Sequence, residues 1–227
     1  MSSGKLRYEV RRMFENTATE DFQCHRKAGS LDSRAFSRID SGRVFKQRRE
    51  SAGVDSAVVI LFDVSSSMTD NVRSKGIDMG PMKMREAVKT CAALLETLSA
   101  AQVATAVVTF DNYSSILQPF GGSYRKTLPL LQRLNPQGST NDYFALRFSH
   151  QMLLRRPEAR RVCFVLTDGM GNEVEARKQV VSGAALGITT IGIGMCTDVS
   201  RVYPSNVMVN DMADLGRVAF SKIKMSV

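Results

Sequence analysis

No stretch of the sequence holds the roughly 20 consecutive apolar residues that a membrane-spanning helix requires. The opening residues, MSSGKLRYEVRR, lack the apolar run of a secretory signal peptide, which points to a cytoplasmic protein. Cysteine is sparse. Cys24, Cys91, Cys163 and Cys196 lie far apart and form no C-x-x-C pair, so their spacing favours reduced thiols over zinc ligation or a disulfide framework. Cys163 falls in the apolar run RVCFVL and Cys91 in a helical pattern, where a free thiol behaves as a small buried hydrophobe. Histidine occurs only at His25, in a polar stretch, and at His150, on a helical pattern. Neither stands beside a nucleophile in the pattern, so surface or packing roles are expected rather than base catalysis. The chain has no internal repeat and no low-complexity tract.

What is present is a globular composition, 43% hydrophobic and 23% charged over 227 residues, suited to one large domain with an extension. The net charge of +9 is uneven: residues 1–50 hold 12 lysines and arginines against 7 acidic residues. A further basic knot lies at Arg155, Arg156, Arg160 and Arg161. Such runs usually form solvated surface. The alternative is salt-sensitive, sequence-independent contact with nucleic acid or an acidic protein.

Leu6, Val10, Met13 and Phe14 recur at helical spacing and predict a short amphipathic helix over 5–14. Residues 16–30 read as a polar linker, and LDSRAFSRID (31–40) as a second short helix ended by Ser41-Gly42. Beyond a basic, partly helical extension over 1–51, the main domain is expected to occupy 52–227. There, strands are predicted at 58–63, 103–110, 114–117, 161–167, 188–193 and 207–209. Helices are predicted at 83–101, 125–134, 143–154, 173–186 and 212–222. Fully apolar strands alternating with helices predict an α/β fold: a doubly wound, mainly parallel sheet flanked by helices.

In such folds ligands gather beyond the carboxyl ends of the strands. The first of these strands, VVILF, runs into Asp63-Val64-Ser65-Ser66-Ser67, and the fourth ends in Thr167-Asp168-Gly169. Between them lies the polar turn GSTND, residues 138–142. All three loops are expected on one rim of the sheet. A strand followed by a serine-rich turn needs no ligand, because Asp63 could cap a helix. Capping, however, accounts for one loop at a time and not for three of matching chemistry. Asp63, Asp168, Ser65, Ser67 and Thr140 form an all-oxygen set suited to a hard divalent cation, Mg²⁺ or Mn²⁺. Asp142 is expected in the first turn of its helix, where a carboxylate suits the positive end of the helix dipole. Asp70, Asp78 and Asp111 are expected to be solvated, and Met79, Met82 and Met84 to line a loop and a helix start.

D-x-S-x-S after the first strand, a Thr in a Gly-rich turn and the Asp of T-D-G together resemble the metal-ion-dependent adhesion site (MIDAS) of von Willebrand factor A domains. The resemblance implies that Ser65, Ser67 and Thr140 contact the metal and that Asp63 and Asp168 act directly or through water. One departure is Ser66, where many members carry Gly. LDSRAFSRIDSGRVFKQRRE, DSAVVILFDVSSSM and TTIGIGMCTDVSRVYPSNVMVNDMADLGRVAF are similar to the C-terminal part of the large cobaltochelatase subunit. That narrower resemblance implies a non-enzymatic module working beside a MoxR-type AAA+ ATPase, with a protein target that offers an acidic ligand residue. The competing class is a Mg²⁺-dependent hydrolase or phosphatase using Asp63 as nucleophile. Such phosphatases use D-x-D where this chain has D-x-S.

Overall fold

The computed structural model describes residues 22–26, 30–31, 45–48, 55–74, 77–169 and 171–209. Its centre is a six-stranded sheet. The first strand of that sheet, Ser56–Asp63, is buried at every position, as a run apolar on both faces requires. In chain order the described strands are β1 (Phe22–Arg26), β2 (Ser30–Leu31), β3 (Phe45–Arg48), β4 (Ser56–Asp63), β5 (Asn71–Ser74), β6 (Ile77–Met82), β7 (Ala104–Phe110), β8 (Ser114–Gln118), β9 (Arg160–Thr167), β10 (Ile188–Met195) and β11 (Ser205–Val209). The described α-helices are α1 (Lys83–Ala100), α2 (Tyr124–Gln132), α3 (Asp142–Leu154) and α4 (Glu173–Ala185). Among the described residues no helix is long and apolar enough to cross a membrane.

The main sheet has the order β11-β10-β9-β4-β7-β8. Its pairings are parallel except at the edge, where β8 runs antiparallel to β7. This is the expected doubly wound α/β architecture. After β4 the chain moves outward through β7 and β8, then returns to add β9 on the other flank of β4. The direction of winding therefore reverses between β4 and β9, and their carboxyl ends bound the crevice that such a reversal opens.

Alternation along β4 divides the core. Val58, Ile60 and Phe62 pack with Leu94, Leu95 and Leu98 of α1 and Leu131 of α2. Ala57, Val59 and Leu61 face the other way, onto Ala145, Leu146 and Leu153 of α3 and Ala176 and Val180 of α4. Each fully buried Val, Leu, Ile or Phe contributes about 1.5–3 kcal/mol relative to exposure, so β4 anchors both layers. Ala87, Cys91, Leu94, Leu95 and Leu98 form the buried stripe of α1, as their spacing predicts. Burial pushes the Cys91 and Cys163 thiols far up, in keeping with inert packing roles. Helix α4 ends at Gly187, whose φ of 76° suits the left-handed turn that closes a helix.

Three expectations are corrected. The linker expected over 16–30 contains strands: β1 pairs antiparallel with β3, and β2 with β3. Leu31, expected to open a helix, ends β2. Phe22-Gln23-Cys24-His25-Arg26 mixes apolar and polar residues without a nearby partner, and β3 arrives only at Phe45. The loop expected before α1 is also a ribbon, with β5 antiparallel to β6. Gly76, Gly80 and Pro81 disguise it, and the pairing register shifts between Asn71 and Arg73. The helices expected over 5–14 and 212–222, and residues 32–40 of the second N-terminal helix, lie outside the described residues.

Candidate metal centre

The crevice between β4 and β9 is built from three loops. Beyond Asp63, the backbone N–H of Val64 bonds to the Phe110 carbonyl at 2.9 Å and the Val64 carbonyl accepts from Gln137 N–H at 2.8 Å. The chain then makes a single 3₁₀ turn, Ser66–Thr69. Ser66 donates both its N–H and its hydroxyl to the Gly138 carbonyl, at 3.1 and 2.9 Å. The serine at this position thus straps the first loop to the GSTND turn. The turn itself is tied to the β7–β8 loop by Asn141 N–H on the Asp111 carbonyl (3.0 Å) and Ser139 N–H on Asn112 Oδ1 (3.1 Å).

Four of the five expected ligands are joined through hydrogen bonds. Asp63 is fully buried. Its Oδ1 accepts from Ser65 N–H at 2.9 Å, and its Oδ2 from the Thr167 hydroxyl at 2.6 Å. Ser65 and Ser67 share a hydrogen bond between hydroxyls at 3.1 Å, and Ser67 donates to Asp168 Oδ1 at 2.8 Å. Because one hydrogen bond occupies only part of each oxygen, these atoms retain lone pairs. Thr140 lies on the strapped turn, half-buried. No hydrogen bond joins its hydroxyl to the other four among the described residues.

Burial pushes the Asp63 carboxyl above the ordinary carboxylate value. Hydrogen bonds from Ser65 and Thr167 pull it down, and the Asp168 charge adds to the rise. Two carboxylates that repel each other favour a cation beside them. One is already present: the Lys83 ammonium sits 2.7 Å from Asp168 Oδ2 and 3.9 Å from Asp70 Oδ2. Asp142, the first residue of α3, is buried, and its carboxyl is raised to about 6, chiefly by desolvation. Its Oδ1 has no hydrogen-bond partner among the described residues, and Gly171 packs against it so closely that a Cβ there would overlap it.

The donor set is two carboxylates and hydroxyls, without a soft ligand, which fits Mg²⁺ or Mn²⁺ in chemistry. Among the described residues no group of three or more His, Cys, Asp or Glu side chains is placed to hold a metal ion. Two carboxylates with three hydroxyls fall outside that kind of cluster. Asp70 is exposed, and Asp111 is held within its own loop by accepting from Tyr113 N–H at 2.8 Å. Met84 is buried in the core and Met82 is exposed, so the expected methionine lining divides.

Two residues here escaped the sequence reading. Thr167 carries the signal of its position between an apolar strand and Asp168. Lys83 carried none, since its partner lies 85 residues away. The basic knot is partly folded into the structure. Arg156 pairs with Glu158 (3.0 and 2.5 Å) and stacks over Phe120, and Arg161 donates to the Arg156 carbonyl. His150 is buried between Thr190 and Gln179, a packing position.

Residues 58–170 match the family model for the von Willebrand factor type A domain. An uncharacterized protein of Bacillus subtilis (strain 168), YojO, is 25% identical over 190 residues, covering 73% of this chain. The chain spans 28% of that relative's length. An aerotolerance-related membrane protein from Bacteroides fragilis NCTC 9343 superimposes with a TM-score of 0.60 at 15% identity, over 76% of this chain and 99% of that one. Proximal thread matrix protein 1 from the mussel byssus, in a form with a zinc-occupied MIDAS motif, gives 0.53 at 16% identity over 75% and 45%. With its strand order and its crevice between β4 and β9, the chain carries the von Willebrand factor type A fold.

Proposed function

We propose that this chain is a non-enzymatic, metal-dependent protein-binding module that recruits a target for a MoxR-type AAA+ ATPase in the cytoplasm, as in cobaltochelatase-like complexes. The observation that carries the reading is the continuous run of oxygens from Ser65 through Ser67 to Asp168, beside buried Asp63, at the rim where the winding reverses. Ser65, Ser67 and Thr140 would hold Mg²⁺ or Mn²⁺ with Asp63 and Asp168. A cation held largely by neutral hydroxyls keeps much of its charge and draws one further oxygen, such as an Asp or Glu carboxylate of a protein target. The zinc-occupied MIDAS of the mussel protein supports the assignment of such a set on this fold.

Asp63 is poorly disposed to be a phosphatase nucleophile. It is fully buried and both of its oxygens already accept hydrogen bonds, whereas in-line attack needs an oxygen presented to the substrate. The test is a pull-down of the full chain with an ATPase encoded beside it, in Mg²⁺ and in EDTA. Capture should fall in EDTA, return with Mg²⁺ and weaken in Ser65→Ala, Ser67→Ala or Thr140→Ala. Capture that persists through both chelation and Asp63→Ala overturns the proposal.

A further inference from the structure

Lys83 stands at an unusual place for a lysine. It is the first residue of α1, where the helix dipole disfavours a cation. Its side chain is 17% exposed, so the long stem has given up rotamer freedom to hold one direction. Helix formation explains neither feature; Asp168 explains both. The ammonium reaches Asp168 Oδ2 at 2.7 Å, while the other oxygen of the same carboxylate accepts from Ser67 at 2.8 Å. The backbone beneath it is fixed, because Lys83 N–H bonds to the Asp70 carbonyl at 2.9 Å where the β5–β6 ribbon closes. Lys83 therefore caps one end of the oxygen run that begins at Ser65.

We propose that Lys83 is a resident counter-ion of this site, neutralising Asp168 when no metal is bound and yielding the carboxylate when a divalent cation enters. This rests on the metal-binding reading. A divalent cation drawn to Ser65, Ser67 and Asp168 meets a like charge already one hydrogen bond from Asp168. The two cations compete for one carboxylate, so each lowers the other's occupancy by the same factor. Lys83 weakens metal affinity and restricts the site to conditions where the metal is abundant. It also keeps Asp168 from standing as an unpaired buried carboxylate in the metal-free protein, which is costly. The same exchange frees a lysine ammonium beside the occupied site, so metal binding alters the rim's charge at two points.

The test is calorimetric titration of the full chain with Mn²⁺ alone, comparing wild type with Lys83→Met and Lys83→Gln. Both variants should bind Mn²⁺ about tenfold more tightly than wild type, within the range usual for two coupled sites. Equal or weaker affinity in both, with saturable binding in wild type, overturns the exchange and leaves the metal reading standing. No saturable binding in any of the three overturns both. Should the variants fail to fold, the wild type supplies a second readout. Acetylation of Lys83 by an activated ester, followed by mass spectrometry, should run several-fold faster in Mn²⁺ than in EDTA. An unchanged rate, with Mn²⁺ binding verified in the same sample, overturns the exchange.

Discussion

Thr167 donates its hydroxyl to Asp63 Oδ2 at 2.6 Å, and its own Oγ1 accepts from Gly169 N–H at 3.0 Å. One side chain at the end of β9 thus steadies the carboxylate at the end of β4 and shapes the turn that carries Asp168. Replacing it with valine keeps the volume but leaves a buried carboxylate short of a donor. A hydrogen bond to a charged group is worth about 1.5–3 kcal/mol. Thr167→Val should lose that much in urea unfolding monitored in EDTA, while Thr167→Ser stays near wild type. An unchanged midpoint in the valine variant would remove Thr167 from the account.

Ser66 makes a smaller contribution. Its hydroxyl on the Gly138 carbonyl is exposed, and its backbone N–H secures the same acceptor independently. Ser66→Ala should therefore cost about 0.5–1.5 kcal/mol in urea unfolding. Even if all of that cost fell on metal binding, Mn²⁺ affinity should stay within about tenfold of wild type, since 1.4 kcal/mol corresponds to tenfold. A loss of metal binding as large as that of Ser65→Ala would show that the strap, and not the hydroxyl set, governs the site.

How far these features could be read from sequence depended on how local their causes were. Val58–Phe62 announced a buried strand because every residue in it is apolar, and Asp63, Ser65 and Ser67 stood out because no core strand gains from them. Thr140 and Asp168 were singled out by the polar turns that carry them, GSTND and T-D-G. Lys83 was illegible: a lysine between two methionines at the start of a helix carries no mark of a carboxylate 85 positions on. The β5–β6 ribbon was hidden by glycines and a proline, which normally signal a loop. The strands β1 and β3 were missed for a related reason, because neither β1 nor β3 has a partner adjacent in sequence. Sheet order also lay beyond reach, for apolar strands of similar composition do not state their neighbours.

His150 gives a pH test away from the crevice. Burial lowers its imidazole from an ordinary value of 6.5 to about 4. A depressed value means that the neutral form is favoured in the folded state. The associated stability is whole above pH 6.5 and is lost as the pH falls through about 4. Between pH 7 and pH 4, wild type should lose roughly 3 kcal/mol more than His150→Gln, at 1.36 kcal/mol per pKa unit. Urea unfolding at each pH measures the difference. Parallel stability profiles for the two proteins would contradict the burial argument.

The central claim is that Asp63, Ser65, Ser67, Thr140 and Asp168 hold a divalent cation, and thermal unfolding with and without metal tests it most directly. A ligand that binds only the folded state adds about 2.7 kcal/mol at a hundredfold excess over Kd. For a chain of this size that corresponds to a rise of roughly 5–10 °C in Tm. Wild type should melt higher in Mn²⁺ or Mg²⁺ than in EDTA, and Asp63→Ala should melt at one temperature in both, whatever its own stability. A wild-type Tm that does not move across millimolar metal, or a shift that survives Asp63→Ala undiminished, would contradict the account.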